Sequence, residues 1–279
     1  MNNYKSFGFL AIISLVLLAT PTEVFGWGKN GHRIVGKLAE NHMTANTLAE
    51  VKALLDGDRI SEVGTWADEM RSNPSDFWQK VTPKWHYLNI NEISDFHPEH
   101  YSSEDEVKDA YTGIRKAMDV LADKNASKQD KQLYLRFLIH LVGDVHQPLH
   151  LGRAEDHGGN KIKVKFFWQD TNLHSLWDTQ LIEQEKLSFS EFASYIDTQD
   201  SKLISQYLNS RPADWIEESF HQAQDIYQVG DKDFSYNYVY KYMPVVKERL
   251  LQGGIRLAGL LNEIYDPESV PGKTALKQK

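Results

Sequence analysis

Apolar residues recur at helical spacing along most of the chain from Trp27 to about Tyr265. Ile34, Val35, Leu38, Ala39 and Met43 make one stripe, and Leu133, Phe137, Leu138, Leu141, Val142 and Val145 make another. Boundary residues agree with these periods. Ser127 with Asp130 opens the central helix, and Ser188 with Glu191 has the form of a capping box. Pro212 stands at the first turn of a helix expected over Ala213 to Val229 and closed by Gly230. A long last helix is expected from about Pro244 to Tyr265. One stretch departs from the pattern. In Lys161 to Phe167, Ile162, Val164 and Phe166 alternate with three lysines after Gly158-Gly159, which is the period of a strand. The pattern predicts an all-α class, a mainly helical single domain over residues 27–265 with a short β hairpin, and a disordered tail over 266–279.

The chain start reads differently. Lys5 precedes an almost wholly apolar run, Phe7 to Ala19, followed by small residues at Ala19, Thr20 and Gly26. A positive start, an apolar stretch of about 13 residues and a small residue at the cut site describe a secretory signal peptide, too short for a membrane span. Residues 1–26 are therefore expected to be removed, so that the mature chain begins at Trp27 and is secreted or periplasmic, with no membrane attachment afterwards.

Composition then narrows the chemistry. The 279 residues include 11 histidines and no cysteine, and the formal net charge is -8. Without thiols there is no disulfide, no thiolate zinc or iron-sulfur site and no cysteine nucleophile, so a metal site must use His, Asp, Glu or backbone groups. The negative balance argues against a protein that grips duplex DNA through many Lys and Arg contacts.

The histidines fall into a spacing that suits metals. His140 and Asp144 lie four apart on the central helix, and Pro148 ends that helix before His150. His174 and Asp178 repeat the four-residue interval. Trp66-Ala67-Asp68 and Trp85-His86-Tyr87 each set one candidate ligand beside an aromatic, and His32 follows Trp27 by five residues. A buried imidazole and carboxylate need partners. A structural His-Asp hydrogen bond explains one such pair; several clusters in a chain without thiols point to more than one zinc.

These positions, with Arg71 and Gly158-Gly159-Asn160, resemble in order and spacing the zinc-dependent single-strand-specific nucleases, the nuclease S-one and P-one family of fungi and plants. The resemblance runs from Trp27 to at least Asp178 and implies a phospholipase C/P-one nuclease-like fold with three zinc ions. It implies that Asp68, His86, His140 and Asp144 hold the first ion, and His150, His174 and Asp178 the second. Trp27, through its free amino group and carbonyl, would hold the third with His32 and Asp144, so Asp144 bridges two ions and signal cleavage is needed to complete the site. By the same resemblance Arg71 and Asp144 are catalytic, Tyr87 stacks on a base and Asn89 reads its edge. The implied activity is hydrolysis of single-stranded DNA and RNA to 5'-phosphorylated products, with 3'-nucleotidase activity, by a monomer. Two other readings stand beside it: a zinc-dependent phospholipase C, expected to have Glu where this chain has Asp178, and a non-catalytic periplasmic zinc-binding protein. His42, His97, His100, His146, His157 and His221 are assigned to surface or structural hydrogen bonding, with a supporting role behind the metal ligands weighed for His146.

Overall fold

The structure, a computed structural model, describes residues 27–228, 230 and 232–269. The signal peptide expected over 1–26 lies outside the described residues, as does the tail from 270 onward. Eight helices of eight residues or more occur among the described residues: α1 (Lys29–His42), α2 (Ala45–Leu54), α3 (Ala110–Ala122), α4 (Lys128–Val145), α5 (Phe189–Ile196), α6 (Ser201–Leu208), α7 (Pro212–Ile226) and α8 (Tyr236–Tyr265). The mainly helical class expected from the sequence is what is found. Helix α4 runs through the middle, against α1, α3 and α8, and α1 in turn lies on α8 and α5.

The helix α4 shows how sequence sets position. Ser127 caps it, its Oγ accepting the Asp130 N–H at 3.0 Å. The first turn, Lys128 to Lys131, is exposed or nearly so, while every residue from Phe137 to Val145 is buried. A helix apolar on all sides belongs inside a core. The two polar groups in that stretch, His140 and Asp144, are thus carried into the interior on one face.

The alternating segment forms the hairpin: β1 (Lys163–Phe166) pairs antiparallel with β2 (Gln169–Asn172). Its tip is made by Phe167 and Trp168, both at positive φ (46° and 67°), the geometry of a two-residue hairpin turn without the usual glycine. A third strand, β3 (Asp233–Phe234), adds parallel to β1 and was not expected.

Three boundaries differ from expectation. Helix α7 stops at Ile226 rather than Val229, because the chain must turn to reach β3 and the Tyr227 hydroxyl is engaged by the Arg153 N–H and Asp156. Helix α8 begins at Tyr236, eight residues before Pro244, which lies inside it. A proline inside a helix forfeits one hydrogen bond; here the turn that precedes it is held by packing, with Tyr238 stacked on Phe234 at 4.1 Å and accepting the Trp177 indole N–H at 2.8 Å. Residues 266–269, expected in the tail, are structured: Asp266 accepts from Thr44 Oγ1 at 2.7 Å, and Pro267–Ser269 form a 3-10 turn.

The C-terminal end of α4 is sealed by charge. Helix ends leave carbonyls without partners and carry partial negative charge. The Val145 carbonyl accepts from Ser219 Oγ at 2.5 Å, and the His146 carbonyl from Arg249 Nε at 3.3 Å. Arg249 is fully buried and also donates to Glu218 at 2.7 Å, while Arg256 donates to both Glu218 oxygens and to His146 Nε2. Burial, together with the neighbouring Arg256, pushes the Arg249 guanidinium down to about 10, still charged at neutral pH. Arg249→Ala removes this seal and leaves buried groups unpartnered; a loss of about 3–5 kcal/mol is expected in chemical denaturation, and a change within experimental error would refute the role.

Candidate metal centre

Asp144 is fully buried, and its two oxygens face different imidazoles. Oδ2 lies 3.1 Å from His140 Nε2 and 3.2 Å from His86 Nδ1. Oδ1 lies 3.3 Å from His32 Nε2 and 3.8 Å from His150 Nδ1. Asp68 closes the first group, with Oδ1 at 3.7 Å from both His86 Nδ1 and His140 Nε2, which are themselves 2.9 Å apart. Ligand atoms around a tetrahedral zinc with bonds of about 2.0–2.1 Å stand roughly 3.3–3.4 Å apart. The five distances among Asp68, His86, His140 and Asp144 bracket that value. A second group is built of His150, His174 and Asp178, with His174 Nε2 3.3 Å from Asp178 Oδ2 and the two imidazoles stacked at 5.1 Å. A third consists of His32, His140 and Asp144.

Backbone carbonyls aim these rings. His140 Nδ1 meets the Gly64 carbonyl at 2.7 Å, His150 Nδ1 the His86 carbonyl at 2.5 Å, and His174 Nδ1 the Gly158 carbonyl at 2.7 Å. A carbonyl can only accept, so each Nδ1 carries the hydrogen and Nε2 keeps its lone pair for a cation. Two glycines make room. A Cβ at Gly143 would fall 2.7 Å from His32 Nδ1, so the missing side chain lets His32 lie against α4 and stack on His140 at 4.0 Å. Gly158 has φ +62°, and this left-handed turn delivers its carbonyl to His174.

The electrostatics fit a cation in the centre. Among the described residues, Asp68 Oδ1, both Asp144 oxygens and both His32 ring nitrogens are buried without a hydrogen-bond partner, a costly arrangement for a protein interior. Burial opposes charge on His140, yet Asp144 and Asp68 outweigh it and hold the imidazole up at about 9. Burial would likewise raise Asp144, but the imidazoles beside it, His140 foremost and then His32 and His86, keep it well below the usual carboxylate range. His32 is lowered by burial and by the neighbouring His140. Asp178 is pushed well above the ordinary range by burial, against the Gln147 hydrogen bond. The donor set, imidazole and carboxylate without thiolate, is one that zinc accepts.

The structure brings together all eight His and Asp positions singled out in the sequence. Trp27 is fully buried beside them, and the next residue, Gly28, donates its N–H to the Asp178 carbonyl at 2.8 Å. Arg71, in the turn Met70–Ser72, lines a cleft of about 790 Å³ together with Asp68, Asp178, Lys29 and Ser175. Tyr87 and Asn89 line a smaller cavity of about 110 Å³ that reaches His174. Two participants escaped the sequence reading. Gln147 is fully buried and donates to Asp178 Oδ1 at 2.5 Å; its position between Asp144 and His150 was the available signal. His157, exposed and at φ +55°, lines the Tyr87 cavity, and nothing but its place beside Gly158 marks it. His146 points away from the centre, to the Val142 carbonyl and Arg256, and is structural.

The S1/P1 Nuclease family profile matches residues 27–266. Endonuclease 5 of Arabidopsis thaliana is 32% identical, over 92% of this chain and 96% of that protein. Nuclease S1 of Aspergillus oryzae is 26% identical over 92% and 98%, and nuclease P1 of Penicillium citrinum 25% over 87% and 99%. Among solved structures, alpha-toxin of Clostridium perfringens is similar over 88% of this chain and 65% of that one, with 15% identity and a TM-score of 0.43. By a match that spans the whole described domain, the chain belongs to the S1/P1 nuclease family.

Proposed function

We propose that this protein is an exported, monomeric, three-zinc enzyme that hydrolyses single-stranded DNA and RNA to 5'-phosphorylated products and removes phosphate from 3'-nucleotides. Membership of the family makes it a hydrolase of phosphodiester bonds. The observation that carries the finer reading is Asp144, buried with its two oxygens turned to different imidazole groups. Asp68, His86, His140 and Asp144 would hold one ion, His150, His174 and Asp178 a second, and Trp27, His32 and Asp144 the third. Bound there, zinc supplies Lewis acidity toward phosphoryl oxygens and acidifies water to a pKa near 7.

The chain's own groups do the rest. Arg71, in the cleft with Asp68 and Asp178, sets a guanidinium against the phosphate oxygens as charge grows on them. Tyr87 offers a face for stacking, and only an unpaired base exposes its own face to it, which selects single strands. Asn89, in the same cavity, offers an amide to the base edge. Gln147 holds Asp178 in place from behind. Positive charge concentrated at the centre reconciles the net charge of -8 with a polyanionic substrate. No helix among the described residues is long and apolar enough to cross a membrane.

Asp144→Ala is expected to lower hydrolysis of single-stranded DNA by more than roughly 100-fold, beyond what loss of an outer-shell partner costs, while helical circular dichroism is retained; full activity would exclude bridging. Phosphatidylcholine micelles assayed alongside should remain intact, and lipid turnover without nucleic acid cleavage would contradict the proposal. The raised His140 pKa leaves that imidazole protonated at pH 7 in the metal-free protein, so zinc uptake must expel its proton. Calorimetry in two buffers of different ionisation enthalpy should show at least one proton released per chain, and identical heats would contradict this. A form that keeps extra residues before Trp27 lacks the free amine and should bind two zincs instead of three; full zinc content in that form would remove Trp27 from the ligands.

A further inference from the structure

A fourth histidine cluster lies on the surface, separate from the three buried groups. His97, Glu99 and His100 place one ligand atom each within 4.8 Å of one another. Glu99 Oε1 is 3.1 Å from His97 Nδ1 and 3.6 Å from His100 Nε2, and the two imidazole centroids lie 4.9 Å apart with the rings tilted by 30°. These distances bracket the roughly 3.3–3.4 Å edge of a tetrahedral site, as those of the buried centre do. We propose that His97, Glu99 and His100 bind one further divalent transition-metal ion, zinc being the ion tested below.

The turn is built to present these groups together. Pro98 opens the 3-10 turn Pro98–His100, and the His100 N–H closes on the His97 carbonyl at 3.0 Å. Both flanks are anchored to α3. Phe96 packs edge-on against Tyr111 at 5.0 Å, and the Tyr101 hydroxyl donates to Asp119 at 2.6 Å while Arg115 lies over its ring at 4.6 Å. A turn pinned at both ends keeps its three side chains near one point, so less ordering is lost on binding. Two imidazoles and a carboxylate form a donor set that suits zinc, copper and nickel and disfavours calcium and magnesium. With side chains more than half exposed, the site leaves its fourth position to water or to a ligand from outside. Backbone hydrogen bonding holds the Glu99 carboxyl below its usual range, so it is available as an anion.

Equilibrium dialysis of the zinc-loaded protein against micromolar free Zn²⁺ tests this. The unaltered chain should take up one more equivalent than the double variant His97→Ala/His100→Ala, while both hydrolyse single-stranded DNA at the same rate. Glu99→Gln should also lose that equivalent at the same free zinc. Equal zinc content in the unaltered chain and the double variant would overturn the proposal, and so would retention of the extra equivalent by Glu99→Gln. Because the readout is the difference in zinc between chains of equal activity, it is independent of whether the buried centre holds two ions or three.

Discussion

A carboxylate without solvent exposure needs positive charge around it, and Asp144 finds none in the protein but imidazoles. Four histidines from four segments approach its two oxygens at 3.1 to 3.8 Å. Burial alone would raise the Asp144 pKa, and the imidazoles around it oppose that rise. A divalent cation on each side, as proposed, would keep the carboxylate charged and the imidazole lone pairs occupied.

The surrounding architecture serves that requirement. Helix α4 carries His140 and Asp144 inward because its second half is apolar on every side, and the Arg249–Glu218–Arg256 network holds its C-terminal end against α7 and α8. His32 comes from α1, His86 from the turn Thr82–His86, His150 from the turn after Pro148, and His174 and Asp178 from the segment after β2. Ions joining such distant segments close long loops, a role that disulfides fill in many exported proteins. In a chain without cysteine, the proposed metal centre would also be the principal cross-link.

Most of this was legible in sequence because it obeys local rules. Ser127, the apolar run and Pro148 announce α4, and a four-residue interval on a helix puts His140 and Asp144 on one face whatever surrounds it. What could not be read depends on partners far away in the chain. Strand β3 is two residues long and owes its existence to β1, with Phe166 paired to Phe234 across 68 residues of chain. The first turns of α8 hide behind Pro244, since their stability comes from Phe234 and Trp177 rather than from propensity. Gln147 and His157 are ordinary residues until folding sets one behind Asp178 and the other beside Tyr87.

Anomalous diffraction from a crystal of the protein beginning at Trp27, recorded on both sides of the zinc absorption edge, would locate the ions directly. Three peaks are expected in the buried centre: one among Asp68, His86, His140 and Asp144, one among His150, His174 and Asp178, and one between His32 and Asp144 beside Trp27. Peaks confined to the His150 group, with none on either side of Asp144, would contradict the bridging carboxylate on which the rest of the site depends.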